Sequence, residues 1–120
     1  ASTGTAPLRP LAGLRRWIEG KPARQVSELD DMELVSLAAA GRDHAAFAEL
    51  VRRHEGRVRS LLLRMSGDLS LADDLSQEVF IRAYRALGGF EGRARVSTWL
   101  YRIAYNAYVN HKTRTKVTAE

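Results

Sequence analysis

Trp99, Arg102, Asn106 and Asn110 recur at spacings of three, four and four. On a helix that spacing draws one stripe along one face. Asparagine is a poor residue for a helix interior, because its amide competes for the backbone. Two asparagines in register with an arginine therefore point to a use outside the helix. Side-chain amides pair with base edges, and a guanidinium suits phosphates and guanine. Tyr101, Tyr105 and Tyr108 make a neighbouring stripe, and aromatic rings offer stacking platforms for unpaired bases. The competing reading makes Trp99 a core residue, the tyrosines interhelical wedges and the asparagines merely solvated.

A second stripe lies upstream. Asp74, Glu78, Ile81 and Arg85 follow one another at helical spacing, with Gln77 beside them. The opposite side of the same helix carries Ala72, Leu75, Val79, Phe80, Ala83, Ala86 and Leu87, the expected core face. A solvent-facing stripe has no need of an isoleucine. Ile81 between carboxylates and an arginine has the form of a small protein-docking patch, apolar at its centre and charged at its rim. The alternative is a solvated face with one stray apolar residue.

Catalysis finds little support. His44, His54 and His111 lie far apart and in no metal-ligand spacing. His54 sits on a mostly apolar helix face and reads as a core or boundary residue. Asp73 and Asp74 are adjacent on a helix, so their side chains diverge by about 100° and cannot act as a pair. With no cysteine, thiolate zinc sites, disulfides and cysteine nucleophiles are excluded. No metal, cofactor or enzymatic activity is expected.

Four helices must position these stripes. Asp30 and Glu33 resemble a capping box ahead of a short helix from about Asp31 to Ala40, which Gly41 stops. Asp43 begins a second helix, with Phe47, Leu50, Val51, His54, Val58, Leu61, Leu62 and Met65 on one face, and Ser66-Gly67-Asp68 breaks it. Ser70 and Asp73 form another box-like pair before a third helix, about Leu71 to Leu87, closed by Gly88-Gly89. Phe90 to Val96 reads as a loop, and Ser97 or Thr98 can cap a fourth helix running to about Thr113. No strand pattern appears, so the fold class is all-α.

The first 29 residues differ, holding all three prolines. Leu11, Leu14, Trp17 and Ile18 there have the spacing of a two-turn basic amphipathic helix, marginal by itself in water. A largely disordered extension is expected. The 120 residues suit a single domain. They carry 19 Lys+Arg against 14 Asp+Glu, a net charge of +5, which favours an anionic partner. Sixteen of the 19 are arginine. Charge is segregated: 66–81 holds Asp68, Asp73, Asp74 and Glu78 with no base, while 91–118 holds six bases against Glu91 alone. Two faces for two partners, or simple balancing between neighbouring helices, would each account for this.

The run Ala72-Asp73-Asp74-Leu75-Ser76-Gln77-Glu78-Val79-Phe80-Ile81-Arg82-Ala83-Tyr84 resembles the second conserved region of bacterial sigma factors of the extracytoplasmic-function (ECF) group. Phe90-Glu91-Gly92 and Ser97-Thr98-Trp99-Leu100-Tyr101-Arg102-Ile103-Ala104-Tyr105-Asn106 continue it, and Ala46-Phe47-Ala48-Glu49-Leu50 resembles its start. The resemblance covers about residues 30–115. It implies a compact helical domain that binds RNA polymerase core and melts the promoter −10 element, without being an enzyme.

By that resemblance, Asp74, Gln77 and Glu78 match positions contacting the clamp coiled coil of the largest polymerase subunit, and Ile81 and Arg85 extend the stripe. The loop Phe90 to Ser97 would receive a base flipped from the non-template strand, with Arg95, Val96 and Ser97 nearest the pocket. Trp99, Arg102, Asn106 and Asn110 would track bases and phosphates beside it. The implied domain is 30–116, between an extension at 1–29 and a linker or tail at 117–120. An anti-sigma factor that masks the same surfaces is a further implied partner, and the cytoplasm the implied location. The family's second domain, which reads the −35 element, has no counterpart in this sequence, so a fragment of a longer protein is expected. A protein-interaction module held by an anti-sigma factor and a generic helical nucleic-acid-binding domain remain the alternatives.

Overall fold

The computed structural model describes residues 25–41 and 43–119, the last three by backbone alone. The chain divides into two units, Ala1–Asp30 and Asp31–Glu120. The proposed amphipathic helix around Leu11 to Ile18 lies outside the described residues. Of the first unit, the described part is a short 3-10 turn, Val26–Glu28, closed by hydrogen bonds from Glu28 N to Gln25 O and from Leu29 N to Val26 O.

The second unit holds four helices: α1 (Asp31–Gly41), α2 (His44–Ser66), α3 (Leu69–Ala86) and α4 (Val96–Ala119). There is no strand among the described residues, as the all-α expectation requires. None of these helices is long and apolar enough to cross a membrane.

Each helix start and stop has a local cause. The Asp43 carboxylate accepts from Ala46 N at 3.1 Å, satisfying one of the amides that a helix start leaves open. The second helix ends at Gly67, whose φ of 68° lies in the left-handed region that glycine enters without a Cβ clash. Its amide bonds back to Leu63 O at 2.7 Å. Asp68 then caps α3 through Leu71 N, and Ser66 Oγ accepts from Asp68 N at 3.1 Å. The pair Ser70 and Asp73 is therefore not the cap: the helix begins at Leu69, two residues before its expected start, because Asp68 reaches the open amide first. A single-turn 3-10 segment, Leu87–Gly89, follows α3 and ends in the bond from Phe90 N to Leu87 O.

The core is built from the inward faces. Leu34, Val58, Leu62, Val79 and Leu87 are fully buried. Ala38, Ala46, Ala72, Ala83, Ala104 and Ala107 have no exposed surface either. Such small side chains let neighbouring helices come close while the leucines fill the space between them. The apolar face of α3 is as the periodicity predicts except for Ala86, which is exposed because the helix ends there. At the other end, α4 runs on to Ala119, well past Thr113.

A charged cluster adds to the apolar packing and ties the start of α1 to α2. Glu49, 7% exposed, accepts from Arg52 at 2.6 and 3.0 Å and from Arg53 at 2.9 Å. Arg53 also donates to Asp31 at 3.1 Å, and His54 Nε2 lies 2.8 Å from the same carboxylate. Hydrogen bonds from the two guanidiniums, Arg52 first, hold the Glu49 carboxyl down at about 2. His54 is thus a buried partner of α1, which fits the core-or-boundary reading.

Candidate nucleic-acid and protein interfaces

The loop between Phe90 and Arg95 sits on a rigid base. Val96, 3% exposed, opens α4 and fixes it in the core. Arg95 O accepts from Trp99 N at 3.0 Å, which makes Arg95 the residue before the first turn. The Phe90 and Trp99 rings meet with centroids 4.9 Å apart, tilted by 54°. Both are half-buried. Gly92 has φ of 78°, and a Cβ there would stand 3.3 Å from Met32 Cε. The positive φ reserves this position for glycine, while the exposed, flexible Met32 side chain could give way to a Cβ. The loop tip carries an exposed ion pair, Arg93 to Glu91 at 3.1 Å.

These features enclose a concavity of about 370 Å³, lined from Gly89 to Ala94 and by Trp99 and Arg102. That volume admits a planar ring, with two aromatic side chains in one wall. Arg95, Val96 and Ser97, which sequence resemblance puts nearest a base pocket, do not line it. The physical reason is the helix start. Ser97 and Thr98 do not cap α4 but lie in its first turn, which draws Val96 inward and sets Arg95 and Ser97 beyond the concavity.

Along the outer side of α4, Arg102, Asn106 and Asn110 are all exposed. Neither asparagine side chain has a hydrogen-bond partner among the described residues, so both amides are open to an incoming group. Leu100, Ala104 and Ala107 are buried beneath them, with Ile103 half-buried. On the far flank, Tyr101 and Tyr108 are half-buried and Tyr105 is 59% exposed. The Lys112 ammonium stands 5.9 Å from the centre of the Tyr108 ring. The arginine and the two amides thus share one face with the loop concavity at its N-terminal end.

The stripe on α3 is also on the surface. Asp74, Gln77, Ile81 and Arg85 are exposed, Ile81 by 51%. Glu78 is half-buried and forms an ion pair with Arg82 one turn on. Periodicity did not reveal the groove beside the stripe. Phe47 and Val51 from α2 and Phe80 and Tyr84 from α3 line a concavity of about 630 Å³, with Gln77, Ile81 and Arg85 on its rim. Phe47 and Tyr84 meet edge to face at 5.1 Å. Phe47 and Val51, expected on a core face, are only half-buried, and nothing within either helix's own sequence announces the groove. The described residues contain no cluster of side chains suited to a metal ion.

Comparison with known proteins places the chain in a family. Residues 50–118 match the family model for sigma-70 region 2. The RNA polymerase sigma-H factor of Pseudomonas aeruginosa is 42% identical over 86 residues, covering 72% of this chain and 44% of that protein. The ECF RNA polymerase sigma-E factor of Escherichia coli K12 is 45% identical over 86 residues, 70% of this chain and 43% of that one. The ECF factor SigW of Bacillus subtilis is 39% identical over 74 residues, 62% and 40% of the two chains. The chain therefore spans less than half the length of these curated relatives. Among solved structures, an engineered region 2 of sigmaE in complex with GTAAAA is similar, with 42% identity and a TM-score of 0.68 over 78% of this chain and 96% of that one. With a matching family model over most of the four-helix unit and a matching fold, the chain belongs to the sigma-70 region 2 family.

Proposed function

We propose that this chain is the part of an ECF-type sigma factor that holds RNA polymerase core with α3 and opens the promoter −10 element with α4 and its preceding loop. The observation that carries the reading is the adjacency of the ring-sized concavity and the stripe of Arg102, Asn106 and Asn110. Its similarity to a region 2 complexed with GTAAAA supports a single DNA strand as the ligand.

The chemistry is binding rather than bond-breaking, and the protein acts without catalysis of its own. A base leaving the stack costs a few kcal/mol. Capture between the loop and the Phe90–Trp99 pair offsets that cost, and Arg102 adds a phosphate contact at the concavity's edge. Asn106 and Asn110 then read base edges further along the strand. Arg95 and Ser97 serve at the loop's outer margin. Val96 acts from the core, holding the loop's end in place. The Asp74, Gln77, Glu78, Ile81 and Arg85 stripe meets the clamp coiled coil of the largest polymerase subunit, in the cytoplasm, and an anti-sigma factor competes for the same faces. Residues 30–116 are taken as the working domain.

Anisotropy titrations of the 120-residue chain with labelled GTAAAA test this reading. The single strand should bind more tightly than the same sequence in duplex and more tightly than a scrambled strand. Equal binding to all three would leave only a generic basic domain.

A further inference from the structure

The five arginines of α2 fall into two sets. Arg52 and Arg53 bind Glu49, Arg53 also binds Asp31, and Arg59 reaches Asp73 on α3 at 3.4 Å. Arg57 and Arg64 are exposed and pair with no carboxylate among the described residues. Both line one concavity of about 760 Å³ between α2 and the start of α4, together with Ser60 and Tyr101. Arg52 and Arg53 border it, and no acidic residue does. A place in the last turn would account for Arg64 through the helix dipole, but Arg57 lies about two turns earlier, beyond that effect.

We propose that this concavity is a second nucleic-acid contact, holding a DNA strand by its phosphates apart from the reading stripe. Tyr101 and Asn106 are about 140° apart around α4, so the two surfaces do not merge. Arg57 and Arg64 are about 10 Å apart along α2, too far to clamp one phosphate and suited to separate phosphates of one backbone. Arginine forks match phosphate oxygens, the Ser60 hydroxyl between them adds a donor, and Tyr101 offers a ring edge to a base. An acidic protein is the rival occupant. The lining has only Leu61, half-buried, as an aliphatic side chain, whereas protein interfaces centre on apolar and aromatic anchors.

The probe is a labelled twelve-nucleotide dT strand, which lacks a −10 element. Its outcome is therefore independent of the sequence-reading proposal above, which stands or falls on GTAAAA against a scrambled strand. With the full chain, dT should shift the amide resonances of Ser60 and Tyr101. The double variant Arg57→Ala/Arg64→Ala should lose those shifts. It should also lower affinity roughly 3- to 10-fold at low salt and reduce the slope of log K against log salt by about 1.4, two phosphates' worth. The variant Arg114→Ala/Lys116→Ala, with the same change in net charge, should keep the Ser60 and Tyr101 shifts. Wild-type shifts confined to Arg102–Asn110 would overturn the proposal, whatever the variants do. So would an unchanged slope in the double variant. Equal shifts from a twelve-residue glutamate peptide would overturn it in favour of an acidic protein partner.

Discussion

The two consecutive helices α3 and α4 have inner faces of the same kind and outer faces of opposite kinds. Inward, both present leucine with alanine: Leu75, Ala72 and Ala83 on one, Leu100, Ala104 and Ala107 on the other, all buried. Outward, α3 shows Asp74, Gln77 and Ile81 beside an apolar groove, while α4 shows Arg102 and two open amides beside a loop concavity. Packing constrains only the inner residues. The outer chemistry is therefore where partner choice is written. An exposed isoleucine beside an aromatic-lined groove suits a protein surface, and unpartnered amides beside an arginine suit a polynucleotide.

The strongest break in this contrast is Ile81→Asp. Ile81 is 51% exposed, so the fold should persist. Losing the apolar centre and adding a charge should weaken polymerase-core binding by about 2 kcal/mol or more, the scale of an interface hot spot. Strand binding should stay intact. Equal capture of core polymerase by the variant, with unchanged circular dichroism, would remove α3 from the interface.

Within α4 the contrast can be sharpened by separating two roles. Asn106→Ala should cost roughly 1–3 kcal/mol at one position of the strand and relax the preference there. Arg102→Ala should weaken all sequences alike and flatten the salt dependence. Affinities for every single-base variant of the strand, with thermal melts, distinguish the two. A uniform loss and a lowered melting temperature for Asn106→Ala would make it scaffold.

Gly92→Ala touches the loop alone. A Cβ at φ of 78°, 3.3 Å from Met32 Cε, should strain the loop by about 1–2 kcal/mol. Binding of the captured base should fall while polymerase binding holds. Differential scanning calorimetry beside both titrations would expose a wider collapse.

Acid gives the smallest and least selective effect. Hydrogen bonds from Arg52 and Arg53 to its charged form hold the Glu49 carboxyl down at about 2, below its ordinary value of 4.5. Its stabilising contribution is complete above about pH 4.5 and fades as pH falls toward 2. Stability in that window should drop less for Glu49→Gln than for wild type, and the two outer faces should lose activity together. A pH-melt series on both proteins reads this directly.

Much of this was legible beforehand because helices declare themselves by period and punctuation. Asp43 and Gly67 act as start and stop as their residue types require. Leu75, Val79 and Ala83 are buried on the expected face, and the exposure of Ile81, Asn106 and Asn110 follows from the same wheel. The misses lie where two local signals compete or where the answer is not local. Asp68 pre-empted Ser70 as a cap. Val96 is drawn into the core, so α4 starts there and not after a cap at Ser97 or Thr98. The groove between Phe47 and Tyr84 and the approach of the Met32 side chain to Gly92 depend on which elements meet, and periodicity within one helix carries no such information.

The three-residue passage Ser66-Gly67-Asp68 has a kinetic consequence. It ends α2 with one residue and starts α3 with the next, so two helices that pack on each other are joined with almost no loop. Closing so short a connection costs little chain entropy, and contacts of low sequence separation form early. The α2–α3 hairpin should therefore be the folding nucleus, with α4 docking afterwards. Val79→Ala should slow folding in stopped-flow measurements, whereas Ala107→Gly should chiefly speed unfolding. On that ordering the helix proposed to meet polymerase is in place before the one proposed to meet DNA, and a nascent chain would present the α3 surface first.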